Sequence, residues 1–286
     1  MNTHDRFRFL SIGGGMVWLA VFGLLPGLLM LGTSFLARHE AELIEVRFSL
    51  EGYRTIIDPI FLKILGNSLY LAVGTTLICL LAAYPFAYAL ARMGNRCKRV
   101  LLMLVMIPFW TNSLVRTYAL VFMLKTKGVI SALLVWLGVT PRPVSFMYTE
   151  AAVFIGLTYT LLPFMILPLY TAIEKMDGKL VEAARDLGAG SWRTFFHVTL
   201  PLTMPGIVAG CMMVFLPALG MFFVPDMLGG GKHLLVGNFI KNQFLVARDW
   251  PAGAAAGVVL TLLMLALMYM QGISRGRAGK KRGARP

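Results

Sequence analysis

The sequence predicts an all-α polytopic membrane protein with six transmembrane helices. Three observations carry this: an apolar composition, six long apolar runs, and basic residues gathered into alternate connections. Of 286 residues, 58% are hydrophobic and 14% are charged, against about 25% charged in an ordinary soluble chain. Mean hydropathy is +0.74. A soluble protein of this length covers its core with a charged exterior, which this chain cannot supply, so its apolar surface must face lipid.

Crossing the hydrocarbon takes about 20 mainly apolar residues, and the stretches 11–36, 65–91, 100–124, 151–172, 205–225 and 252–271 qualify. Their interiors hold Pro26, Pro85, Pro108, Pro163, Pro168 and Pro217. Membrane bundles tolerate such prolines because neighbours satisfy the freed backbone groups, so packing kinks are expected. The first run follows Arg6 and Arg8 as a signal peptide would, but it is longer than such a segment and lacks a small-residue cleavage site. It is expected to be an uncleaved anchor.

Six spans bring both termini to one side. That side collects Arg6 and Arg8, the cluster Arg92, Arg96, Lys98 and Arg99, the basic residues of the loop at 173–203, and the tail from Arg275 to Arg282. The positive-inside rule makes it cytoplasmic and makes the segments 37–64, 125–150 and 226–251 external. The predicted organisation is a cytoplasmic tail at 1–10, a transmembrane domain at 11–272 and a basic cytoplasmic tail at 273–286. The formal charge of +14 is then assigned to anchoring on anionic lipid and not to nucleic acid. Cys79, Cys97 and Cys211 have no paired spacing, and His4, His39, His197 and His233 are scattered. No metal site is expected.

The loop at 173–203 is the most specific segment. Glu182 to Leu187 has strong helix formers with an early acid, Gly188 suits the left-handed residue that closes a helix, and Ser191 suits a cap for a second turn. Helical spacing puts Val181, Ala184, Leu187 and Gly188 on one face and the charges Glu182, Arg185 and Asp186 largely on others. Such a small-residue knob fits a groove on a partner protein. Amphipathicity alone equally allows an interfacial helix resting on lipid.

Glu182-Ala183-Ala184, Gly188, Val198 and Leu200-Pro201 stand at the spacing of the motif found in bacterial ABC importer permeases, with Val198 where Ile is usual. The chain resembles that family, and the resemblance implies a type I (MetI-like) transmembrane domain. It also implies that Glu182, Ala183, Ala184, Gly188, Val198, Leu200 and Pro201 couple to a dimer of ATPase subunits. ATP and Mg would then sit on that partner, leaving this chain a non-catalytic lever without a bound cofactor. Its own Gly229-Gly230-Gly231-Lys232 is no phosphate loop, because Asp226 stands where the required Gly belongs and His233 where Ser or Thr belongs.

Longer matches are Ile107 to Arg116, Leu161 to Phe164, Pro201 to Ile207, Gly237 to Ile240 and Arg248 to Pro251. They are similar to the spermidine/putrescine permeases (PotB, with the PotH type close behind). What this implies is polyamine transport across the inner membrane, a second related (PotC-like) permease, and a periplasmic polyamine-binding protein. Related importers of putrescine alone, other organic amines or iron remain open. A polyamine pathway needs carboxylates and aromatic faces, each ring attracting a cation by about 0.5–2 kcal/mol. Asp226 beside Phe222 and Phe223, with Trp110, Tyr118 and Tyr159 along the spans, supplies candidates. Each ring could equally be a packing or interfacial residue, and Asp226 a solvated loop acid. Asn112 and Arg116 lie one turn apart in an apolar span, where an unpaired charge costs at least about 2.5 kcal/mol. They should face the bundle interior or an interface, for gating or subunit contact. An ion-coupled transporter would show acids or histidines at span centres, which are lacking here.

Overall fold

The computed structural model of the chain describes residues 12–39, 43–231 and 234–283. In order the elements are α1 (Ile12–Thr33), β1 (Leu36–Ala37), β2 (Glu45–Phe48), α2 (Glu51–Ile57), α3 (Pro59–Arg92), α4 (Asn95–Trp110) and α5 (Ser113–Leu124). They continue as α6 (Val129–Trp136), α7 (Glu150–Glu174), α8 (Gly178–Asp186), α9 (Ser191–Gly220), α10 (Phe223–Gly229), α11 (Val236–Leu245) and α12 (Trp250–Gly283). Among the described residues, six helical stretches are long and apolar enough to cross a membrane: Ile12–Thr33, Pro59–Arg92, Ser113–Trp136 (α5 and α6 in succession), Glu150–Glu174, Ser191–Gly220 and Trp250–Gly272.

The expected second, fourth and sixth spans lie inside longer helices. The first ends at Thr33, and the fifth runs from Ser191 to Gly220 instead of over 205–225. The third expectation, a helix over 100–124, is corrected. Thr111 and Asn112 are extended, and the Asn112 carboxamide accepts the Leu114 N–H at 2.8 Å to start α5. Short polar side chains bond the backbone locally and so favour a helix end, and Thr-Asn-Ser here outweighs its apolar flanks. The α12 backbone stays helical to Gly283, into the stretch expected as a tail. Arg6, Arg8, Lys232 and His233 lie outside the described residues.

Prolines are absorbed in two ways. Pro85, Pro108, Pro163, Pro168, Pro205 and Pro217 sit inside helices. Pro26 and Pro201 instead each follow a widened π turn, Ala20–Leu24 and Phe195–Thr199. In each the bond that closes the turn reaches back one residue further than in an α-helix: Leu25 donates to the Ala20 carbonyl and Leu200 to the Phe195 carbonyl. The proline then enters where its missing N–H leaves less unsatisfied.

The chain divides into two compact units, Met1–Ile64 with Phe239–Leu267, and Leu65–Asn238 with Met268–Pro286. In the first, an antiparallel pair, not foreseen from the sequence, aligns Leu36 with Phe48 and Ala37 with Glu45 across a bulge. Phe35 stacks on Phe48 at 5.9 Å and leans on Tyr53 at 5.3 Å, and Tyr53 shares a 2.9 Å hydrogen bond with Ser34. Gly52 meets the chain at Pro251, where a Cβ would come within 2.8 Å of the Pro251 carbonyl.

The second unit is built on α7 against α9. Between helices in lipid the hydrophobic drive vanishes and close van der Waals packing takes over, which favours small residues at the contact. A Cβ on Gly206 would collide with Ala172 and stand 2.8 Å from the Pro168 carbonyl, and one on Gly210 would stand 2.7 Å from the Met165 sulfur. Leu71, Leu124, Val153, Leu157, Val224, Leu228 and Leu235 form the buried cluster beside this seam. Gly206→Val should therefore destabilise the protein by roughly 1–3 kcal/mol. Thermal unfolding of the detergent-purified protein should show a lowered midpoint, while Gly66→Ala, with nothing within 4 Å of its Cβ, should not.

Candidate functional site: a hairpin fused to the fifth span

The hairpin at 173–203 begins with Asp177, whose carboxylate accepts the Lys179 N–H at 3.0 Å and caps α8. The helix starts at Gly178 and not at Glu182, so Glu182 lies further along α8, where it is exposed. At the other end Gly188 has φ +81°, its N–H bonds the Arg185 carbonyl at 2.8 Å, and the Ala189 N–H bonds the Ala184 carbonyl at 3.0 Å. This pair of bonds around a left-handed glycine closes the helix and turns the chain. The role foreseen for Ser191 is corrected: Gly190 is the cap residue and Ser191 is the first helical residue of α9.

The second half of the hairpin is not a separate short helix bounded by Pro201. From Ser191 it runs through the π turn into the fifth span as one helix of 30 residues. Its root is tied into the bundle. Tyr84 of α3 shares a 3.0 Å hydrogen bond with Thr203 and sets its ring edge-on to Phe195 at 5.6 Å. Lys98 at the start of α4 pairs with Glu174 at the end of α7, 3.0 Å apart. Glu174 is partly solvated, so that pair contributes at most about 1 kcal/mol.

The expected knob is rearranged. Val181 is buried, because α8 packs on the first turns of α9, while Leu187 is 89% exposed and Trp192 76% exposed. Trp192 stacks on the exposed Phe196 at 5.9 Å. The presented surface is thus Leu187, Gly188 and the two rings, with Ala183, Glu182, Arg185 and Asp186 exposed around it. Ala184, Val198 and Leu200 are half-buried and Pro201 is exposed. A Cβ at Gly188 would meet nothing within 4 Å. The site is therefore open in this chain.

The other candidates separate into two helix breaks and three isolated rings. Asn112 is exposed in this chain and caps α5, so of the two expected positions, bundle interior or interface, it does not occupy the first. Arg116 follows one turn later, with Nε and Nη1 buried and lacking a hydrogen-bond partner among the described residues. At the second break α9 ends at Gly220, so Asp226 lies on the separate helix α10, which starts at Phe223, with Phe222 as its cap residue. Trp110 (81% exposed), Tyr118 and Tyr159 stand exposed on α4, α5 and α7. Sequence reasoning passed over Asn238, which is 2% exposed and donates to the Phe222 carbonyl at 3.1 Å. A polar residue inside the apolar-flanked stretch Gly237 to Ile240 was its signal. Among the described residues, no group of three His, Cys, Asp or Glu could hold a metal ion.

Six stretches able to cross a membrane, with a capped, apolar-tipped hairpin fused to one of them, make the chain an integral membrane protein that presents a docking surface beyond its spans. Residues 83–279 match the family described as binding-protein-dependent transport system inner membrane component, and the chain belongs to that family. It is 51% identical over 247 residues to the spermidine/putrescine transport system permease protein PotB of Escherichia coli (strain K12), covering 86% of this chain and 90% of that one. It is 47% identical over 267 residues to PotB of Haemophilus influenzae, covering 93% of each. The fold superposes with a TM-score of 0.76 and 16% identity on a bacterial alginate ABC transporter solved in complex with an alginate pentasaccharide-bound periplasmic protein, covering 93% of each chain.

The root of the hairpin is testable. Tyr84→Ala removes both the Thr203 bond and the edge-on contact with Phe195, and should raise hydrogen exchange over residues 178–199 several-fold. Tyr84→Phe loses only the hydrogen bond, worth about 1 kcal/mol, and should stay near wild type.

Proposed function

We propose that this chain is one permease subunit of an ABC importer that carries spermidine and putrescine across the bacterial inner membrane. Identity near 50% along about nine-tenths of the chain to permeases named for that transport supports the substrate class. The observation that carries the mechanism is the continuity of the hairpin's second half with the fifth span: Trp192 stands on the one helix that runs to Gly220, and Leu187 stands at the end of α8, which packs on the first turns of that helix, so a force applied at this surface reaches the span. The force comes from a dimer of ATPase subunits holding ATP and Mg, with Glu182, Ala183, Ala184, Gly188, Val198, Leu200 and Pro201 forming or shaping the contact. Closure of those subunits tilts the attached spans between inward-open and outward-open arrangements.

Residues 11–272 form the transmembrane domain in this reading, and the tails 1–10 and 273–286 lie with the hairpin in the cytoplasm. A second, PotC-like permease completes the pathway, and a periplasmic polyamine-binding protein delivers substrate. Asp226, with Phe222 and Phe223, offers a carboxylate and rings to an ammonium group, and Trp110, Tyr118 and Tyr159 extend the aromatic path. Arg116 would repel a cation in that path, so with Asn112 it serves gating or the contact with the second permease. Its buried Nε and Nη1 call for an acceptor from outside the chain.

Two experiments test this. Gly188→Asp should abolish spermidine uptake while membrane levels and ATP hydrolysis persist. Gly188→Asn, which tolerates the left-handed backbone, should do the same, separating bulk at the contact from backbone strain; normal uptake by both variants would remove the hairpin from the mechanism. Asp226→Asn should raise the KM for polyamine uptake several-fold at unchanged expression, and an unaltered KM would exclude Asp226 from the pathway.

A further inference from the structure

Arg248 has a left-handed backbone, with φ +51°, although it is not glycine. The fold explains the turn but not the arginine. Ala247 is held by its N–H on the Asn242 carbonyl at 2.9 Å and by its carbonyl, which accepts from Arg38 at 3.2 Å. Asp249 is held on the other side: its N–H bonds the Gln243 carbonyl at 2.9 Å, one carboxylate oxygen accepts the Ala252 N–H at 3.0 Å to cap α12, and the other lies 3.6 Å from Arg38. The residue between them must turn outward, and glycine would do so without the steric cost that a side chain meets there. The Arg248 side chain is exposed and makes no hydrogen bond or ion pair among the described residues. Strain kept for a side chain that the fold does not use points to a use outside the chain.

The surroundings define the kind of partner. Arg38 follows β1 directly, and the paired strand β2 presents Val46, 93% exposed, and Phe48, 72% exposed, from one side of the pleat. Leu245 and Val246, in the loop that carries Arg248, are also exposed. A two-stranded ribbon with open edges cannot lie in hydrocarbon, so these large apolar side chains stand outside the bilayer core. Apolar groups of this size outside the bilayer core, in the same unit as a cation that makes no ion pair among the described residues, form the anatomy of a protein docking surface.

We propose that β2 and the loop at 245–248, with Arg248 as its charged anchor, dock the substrate-loaded binding protein through a carboxylate set in an apolar surround. This rests on the reading above that these segments face the exterior. The family's dependence on a binding protein supplies the occupant, and the unpaired guanidinium supplies the sign of the charge it meets.

The test uses the complete importer in nanodiscs and reads ATP hydrolysis as spermidine-loaded binding protein is added. Arg248→Gly relieves the backbone and should leave assembly and basal hydrolysis unchanged. It should nevertheless raise the binding-protein concentration for half-maximal stimulation at least ten-fold, with Arg248→Glu and Val46→Glu worse and Arg248→Lys intermediate. Wild-type stimulation curves in Arg248→Gly and Val46→Glu would overturn the proposal. So would a shift that appears only with anionic lipid and disappears in phosphatidylcholine, which would make the surface a headgroup contact. Arg248→Cys labelling by a membrane-impermeant maleimide on intact spheroplasts separates the two readings. Labelling from outside with normal stimulation sinks the docking surface alone, while protection from outside sinks the orientation and the docking surface with it.

Discussion

Hydrocarbon offers no hydrogen-bond partner, and every departure from a continuous helix in this chain is organised around that constraint. Asn112 takes the Leu114 N–H at the break before α5. At the break after α9, the Phe222 carbonyl takes the Asp226 N–H at 3.0 Å and a second donor from the Asn238 carboxamide at 3.1 Å. Ser68 of α3 accepts the Val236 N–H at 2.8 Å, where α11 begins. Gly237 lets that segment approach α9 so closely that a Cβ would stand 2.5 Å from the Gly220 carbonyl. Asn112, Ser68 and Asn238 thus each bond a backbone group at a helix end or break, where the helical ladder is interrupted.

The same constraint shapes the hairpin. A proline entering a straight helix would strand one carbonyl and force a kink; the π turn at Phe195–Thr199 lets Pro201 enter without ending the helix. Because the helix survives, Trp192 at the tip and the buried seam at Gly206 and Gly210 lie on one continuous helix. Motion at the tip is then expressed at the α7 contact, where close packing of Gly206 on Pro168 and Ala172 leaves little room for independent sliding. A flexible linker at Pro201 would have dissipated it.

Hydropathy is a sum over about 20 residues, which is why the presence of six spans was legible and their interruptions were not. One extended residue at Thr111 barely alters that sum, yet it separates α4 from α5. Gly188 was legible because the left-handed region is nearly reserved for glycine at a helix end. Val181 and Leu187 share a helical face in projection, but only the tertiary packing of α8 on α9 decides that one is buried and the other exposed. The β1–β2 pair was not legible: two and four residues are too few for an alternating pattern to stand out. Membership of the permease family lay in the hairpin spacing, whereas Asn238 and Tyr84 act through partners far along the chain that no local pattern reveals.

What the chain leaves unsatisfied is as ordered as what it satisfies. Half of the apolar stretch of α7 is buried, whereas that of α1 is exposed, and α1 meets its own unit at Met30 against Gly257. Lipid tolerates an apolar helix of that kind. It does not tolerate Arg116 Nε and Nη1, buried in a span without an acceptor among the described residues. The hairpin tip is in the opposite position, since Leu187 and Trp192 are apolar groups held out beyond a membrane helix on a charged hairpin. A polar group lacking a partner within the apolar region and apolar groups bared beyond it are two signatures of surfaces completed by other proteins.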